Sequence, residues 1–214
     1  MTEYFLSNGD CGTECTFKII GSKWIPQIIE ICSLSDRVTF SKLKTSLPLI
    51  TDATLSRKIH CLILNNMLIR HPDSSLELTT KATDIFPTMV MMQQLAYECQ
   101  YKTSELSSSV EYAKKLIGNK WKSRIIWVIY QTNTIRFNTL QNSIEGISHK
   151  VLSAHLKDLI EHGFVVKKDY AQKNPKVEYS LTPKGATAYS IIESMASWCI
   201  KYGLITSYIP NKNT

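Results

Sequence analysis

The sequence predicts an α+β chain, mainly helical, built as two tandem copies of one unit over residues 1-104 and 105-214. Three observations carry this prediction. The word IGSKW at Ile20 to Trp24 returns as IGNKW at Ile117 to Trp121, 97 positions on. The same shift sets Ile28 on Ile125, Phe40 on Phe137, Leu43 on Leu140, Leu55 on Leu152 and Leu62 on Leu159, without a gap from about Lys18 to His71, so a whole plan is duplicated. In each copy the apolar period then changes from helical to strand-like at one place. A chain of 214 residues has length enough for two small domains.

Each element follows from spacing. Ile117, Trp121, Ile125 and Val128 recur at steps of four, four and three, as do Ile20, Trp24, Ile28 and Ile31. That spacing predicts one amphipathic helix per copy, with Trp24 and Trp121 as core anchors. Phe137, Leu140 and Ile144, matched by Phe40, Leu43 and Leu47, predict a short second helix. The third helix begins at a capping hydroxyl, Thr51 or Ser148, and buries Leu55, Ile59 and Leu62 or Leu152, Leu156 and Leu159. It ends at Asn66 or Gly163, residue types that tolerate the left-handed conformation of a helix end. From Phe164 to Leu181, β-favouring residues flank a polar Asn-Pro turn and predict a hairpin. The first copy's hairpin is six residues shorter, because aligning Leu78-Thr79 with Leu181-Thr182 needs a shift of 103 instead of 97. A closing helix follows in each copy, from about Thr80 to Tyr101, where Pro87 is a potential kink, and from about Pro183 to Tyr202. This order is that of a winged helix-turn-helix.

The second copy resembles the HxlR-type winged helix-turn-helix regulators of bacteria. The resemblance rests on Ile117 to Trp121, Arg136-Phe137 with Leu140, Ile147-Ser148, Pro175 to Leu181, Thr182 and Gly185. The first copy resembles the family less closely, since Thr39 stands where the family has the arginine of Arg-Phe and the wing is cut down. Such regulators usually carry one domain and pair as homodimers, so the resemblance implies an intrachain pseudo-dimer. It leaves a further homodimer open.

Charge supports a nucleic-acid partner. Residues 1–104 hold ten Lys and Arg against ten Asp and Glu, whereas residues 105–214 hold fifteen against eight, so the whole formal +7 lies in the second copy. Excess positive charge on a helix-turn-helix is the footprint expected for double-stranded operator DNA. On the predicted recognition helix His149, Lys150 and Ser153 are the candidate base readers and Lys157 a phosphate contact, with the capping Ser148 a further DNA-binding residue. Arg136 is expected to grip the backbone, and Lys167, Lys168, Lys173 and Lys176 to form the basic wing. The first copy offers Arg57 and Lys58, but its helix starts with Asp52, which repels phosphate. A protein-interaction or sensing module, in which the first copy no longer binds DNA, is the alternative reading.

Five of the six cysteines lie in the first copy. The chain opens MTEYFLSNGD with no apolar signal segment, and no later run is long and apolar enough for a bilayer, so a cytoplasmic protein with free thiols is expected. Cys32, Cys61, Cys99 and Cys199 are expected as small buried residues. Cys11 stands thirteen residues before Trp24, where many HxlR-type regulators carry a cysteine that senses oxidants or electrophiles. The family usually follows that cysteine with proline, where this chain has Gly12. Cys11 and Cys15 lack a second pair at zinc-site spacing, so no metal is expected. Phosphate loops, nucleophile elbows and zinc-protease motifs are missing from the sequence, which points away from an enzyme or a cofactor.

Overall fold

The computed structural model describes residues 12–101, 105–170 and 176–205. The first half runs α1 (Gly12–Ile20), α2 (Ile25–Ser33), α3 (Phe40–Ser46), α4 (Asp52–Leu64), β1 (Leu68–Arg70), β2 (Leu76–Leu78) and α5 (Thr80–Glu98). The second half runs α6 (Leu106–Ile117), α7 (Lys120–Thr132), β3 (Thr134–Arg136), α8 (Phe137–Ser143), α9 (His149–Glu161), β4 (Val165–Tyr170), β5 (Lys176–Leu181) and α10 (Pro183–Lys201).

Local signals act where expected. Thr51 Oγ1 accepts from the Thr54 amide at 3.3 Å, and Ser148 Oγ accepts from the Val151 amide at the same distance. Asn66 and Gly163 both take positive φ, 54° and 73°. The amides of Met67 and Phe164 then reach back five residues to the carbonyls of Leu62 and Leu159, at 2.8 and 2.9 Å, closing the same motif twice.

The repeated Ile-Gly-x-Lys-Trp word does not continue a helix. It is the corner between α1 and α2, and again between α6 and α7. The Gly21 amide donates to Phe17 O and the Gly118 amide to Lys114 O, and a Cβ on either glycine would stand 2.5 or 2.3 Å from that same carbonyl. No other residue fits that chain exit. The two corners then differ. Trp24 sits at φ 77° and α2 starts after it, whereas Asn119 caps α7 by accepting from the Trp121 amide at 2.8 Å. Both tryptophans are half-buried at the edge of the core instead of anchoring its centre, because the break carries them out of line with the isoleucines that follow.

β3 was not foreseen. Its Ile135 pairs with Tyr179 of β5, giving a three-stranded antiparallel sheet of order β3-β5-β4. In the first half Val38, at the position of Ile135, makes a single antiparallel bridge to Leu76 beside the two-stranded β1-β2 hairpin. α5 runs through Pro87 as one helix. Cys32 and Cys199 are buried, but Cys61 and Cys99 are only half-buried, since they lie on helix flanks next to polar ends.

One apolar cluster runs through both halves. α1 packs on α10, where Thr16 Oγ1 lies 3.1 Å from Cys199 Sγ, and α6 packs on α5. α5 and α10 lie side by side: Trp198 Nε1 donates to Lys81 O at 2.9 Å, Thr88 and Ser194 share a hydrogen bond of 2.6 Å, and Asp84 takes Lys201 at 2.5 Å together with the Tyr202 hydroxyl. Among the described residues no helix is long and apolar enough to cross a membrane.

Candidate nucleic-acid interface

α9 rests on the core through Leu152, Leu156 and Leu159, each at most 2 % exposed. Ser148, His149, Lys150, Ala154 and Lys157 are exposed, and Ser153 is half-buried on the helix flank. There Ser153 borders a cleft of about 370 Å³ lined by Phe137, Leu156, Ile160 and Tyr179. The His149 ring lies 4.7 Å from that of Phe137, so α8 limits the directions the imidazole takes. Lys157 is 3.7 Å from Glu161 one turn on, an exposed pair that leaves its ammonium easy to redirect.

The wing lysines do not form one cluster. Lys167 pairs across the sheet with Tyr179 and Lys168 with Glu178, so the two point to opposite faces. Arg136, Glu178 and Lys168 form one cross-strand row, with Arg136 Nε 3.9 Å from Glu178 Oε1. The sequence reading missed this carboxylate between two cations, although it sits in the motif Val177-Glu178-Tyr179. Lys176 opens β5, while Lys173 lies outside the described residues.

The first half presents a different face. Asp52, Ser56, Arg57 and His60 are exposed on α4, and Asp52 is 3.2 Å from Lys44 of α3. Lys58 departs from the expected face: it is half-buried and its ammonium meets the Ser22 hydroxyl at the α1–α2 corner. Its place beside the buried Ile59, one turn from Leu55, turns it inward. Leu49, in the turn before α4, is 86 % exposed where the second half has Gly146.

Cys11 lies outside the described residues. Burial pushes the Cys32 thiol up to about 11, with the nearby Lys42 opposing, and burial raises Cys99 as well, so both are held as thiols. Among the described residues no group of three or more His, Cys, Asp or Glu is placed to hold a metal ion.

A capped, exposed helix resting on the helical core beside a β-wing defines a winged helix-turn-helix fold. Residues 116–205 match the HxlR-like helix-turn-helix family. The HTH-type transcriptional regulator BH0655 of Halalkalibacterium halodurans is 44 % identical over 90 residues, which is 42 % of this chain and 80 % of that protein. YdzF, an HTH-type transcriptional regulator of Bacillus subtilis, is 38 % identical over 93 residues, 44 % of this chain and 85 % of that one. The chain belongs to the HxlR-like helix-turn-helix family of transcriptional regulators. Similar solved structures include the redox regulator HypR in its oxidized form, with 34 % identity, coverage of 43 % of this chain and 94 % of that one, and a TM-score of 0.40. The reduced form of the B. subtilis regulator YodB is 30 % identical, with coverage of 43 % and 89 % and a TM-score of 0.40.

Proposed function

We propose that the chain is a sequence-specific DNA-binding regulator whose second half reads the operator and whose first half is a diverged copy completing an intrachain pseudo-dimer. The observation that carries the DNA reading is the outer face of α9, with His149, Lys150 and Lys157 exposed behind the Ser148 cap, in the half that holds the whole excess of positive charge. The first turn of α9 enters the major groove behind the Ser148 cap, His149, Lys150 and Ser153 meet base edges, and Lys157, Arg136 and the wing lysines meet phosphates. A titration of duplex binding against salt tests it. Steep loss of affinity with salt is the expected result, and binding that ignores salt, or none, overturns it.

The pseudo-dimer reading is supported by the exchange of helices, α1 on α10 and α6 on α5, an arrangement that two chains of a homodimer would make across a two-fold axis. Covalent linkage makes such pairing independent of protein concentration. Mass measurement in solution tests whether one chain satisfies its own pairing surfaces. In the first half Asp52, the exposed Leu49 and the shortened hairpin favour protein contact over phosphate contact, which is the second reading for that half. An oxidant or electrophile response through Cys11 is part of the proposal. If it operates, DNA binding changes on treatment with peroxide or a quinone, and Cys11→Ser abolishes that change while leaving untreated binding intact. Equal binding before and after treatment removes the sensing role.

A further inference from the structure

On the flank of α9, one turn beyond the exposed Ala154, the Lys122 ammonium of α7 meets the Asp158 carboxylate at 2.6 Å. The lysine side chain is 11 % exposed and the aspartate 36 %, so the ammonium is largely withdrawn from water and the carboxylate only partly. Lys122 Nζ also reaches the Lys115 carbonyl of α6 at 3.5 Å, so one ammonium ties three helices. His162, at the end of α9, sets Nδ1 2.8 Å from the Asp158 backbone oxygen and 3.7 Å from its carboxylate.

The first half lacks this tie. Ile25 and Cys61 occupy the two positions, and neither carries charge. Its Asn65 side chain still donates to the Cys61 backbone oxygen at 2.8 Å, as His162 Nδ1 meets Asp158 O, so the end of the helix is repeated and the ion pair is not. The charged bond thus occurs in the half with the basic outer face.

Withdrawing two charges from water costs free energy that their attraction barely offsets, so such a pair is poor evidence for stability; its best-attested use is to fix register. The apolar ridge of Leu152, Leu156 and Leu159 resists separation of α9 from the core, but its contacts are non-directional and tolerate small rotations. A short charge-assisted hydrogen bond is directional. Base readout tolerates misplacement of only about 0.5 Å.

We infer that the Lys122–Asp158 pair is a positioning device that fixes the rotation of α9 about its own axis, and so determines which side chains face the bases. The inference rests on the DNA-binding reading above. Asp158 acts through the helix and touches no DNA.

The test uses a duplex that the wild-type full-length chain selects from a random-sequence pool, beside a scrambled duplex of the same composition, with affinities read by fluorescence anisotropy. Asp158→Asn keeps size and polarity but removes the charge. Its expected effect is a loss of about tenfold or more on the selected duplex, the scale of one lost base contact, with scrambled-duplex affinity and salt slope unchanged. Asp158→Glu restores part of the discrimination. Should Asp158→Asn not fold, the exchanged pair Lys122→Asp with Asp158→Lys carries the test, and recovered discrimination is the expected result. Equal losses on both duplexes with a lowered urea midpoint mean a merely structural role, and unchanged discrimination means none; either overturns the inference while leaving DNA binding intact. If the wild type selects no sequence at all, the DNA-reading proposal falls and takes this inference with it.

Discussion

Replacing Glu178 with glutamine tests the wing electrostatics directly. Glu178 stands between Arg136 and Lys168 in one cross-strand row, and its contact with Arg136 is long, 3.9 Å, with the two side chains 26 % and 54 % exposed. An exposed pair of that geometry contributes about 0–1 kcal/mol, so Glu178→Gln leaves folding stability nearly unchanged. Its effect appears on DNA. Removing the carboxylate frees the guanidinium for a phosphate, and one more neutralised phosphate steepens the slope of log affinity against log salt by about 0.9. Between about 50 and 200 mM salt, a fourfold change, that widens the affinity ratio about 3.5-fold. Anisotropy with a random-sequence duplex isolates this sequence-independent part. Adding Arg136→Ala to Glu178→Gln takes that gain away and lowers the slope again by about the same amount. A slope that stays constant in both variants refutes the placement of Arg136 against the DNA backbone.

Lys150→Ala lowers affinity for the preferred duplex by about 1–3 kcal/mol and relaxes its sequence preference, which binding to a panel of single-base variants measures. Scrambling the half-site under the second half costs more affinity than scrambling the other half, and equal losses for one chain per site exclude an asymmetric reader. Trp198→Phe leaves the Lys81 carbonyl without its 2.9 Å donor in a buried junction, and urea unfolding registers a loss of about 1–3 kcal/mol. His155 has its proton affinity lowered by burial and by Lys122, with Asp158 opposing. The neutral ring is therefore favoured in the fold, and the stability it contributes is complete above the unfolded value of about 6.5 and declines as pH falls below it. Urea midpoints at about pH 7.5 and pH 5.5 should differ less in His155→Gln than in the wild type.

Features governed by a few neighbouring residues were legible in the sequence. The Thr51 and Ser148 caps each span three residues, and the left-handed ends at Asn66 and Gly163 follow from the tolerance of those residue types for positive φ. The hairpins, the short helices and the leucine faces of α4 and α9 follow from spacing alone. The corner at Gly21 and Gly118 was not legible, because isoleucines and tryptophan at helical spacing fit an unbroken helix equally well, and the break depends on the chain leaving α1 and α6 to reach a second packing partner. β3 exists because Ile135 finds Tyr179, 44 positions on; Thr134 and Ile135 favour a strand, but three residues are too few to announce one. The alternation that separates Lys167 from Lys168 was present in the sequence, but which face each takes depends on the register with β5. Tertiary packing brought Lys58 to Ser22 and Lys122 to Asp158 and set α1 against α10, since each joins groups 36 to 183 positions apart whose encounter is decided by how the helices stack.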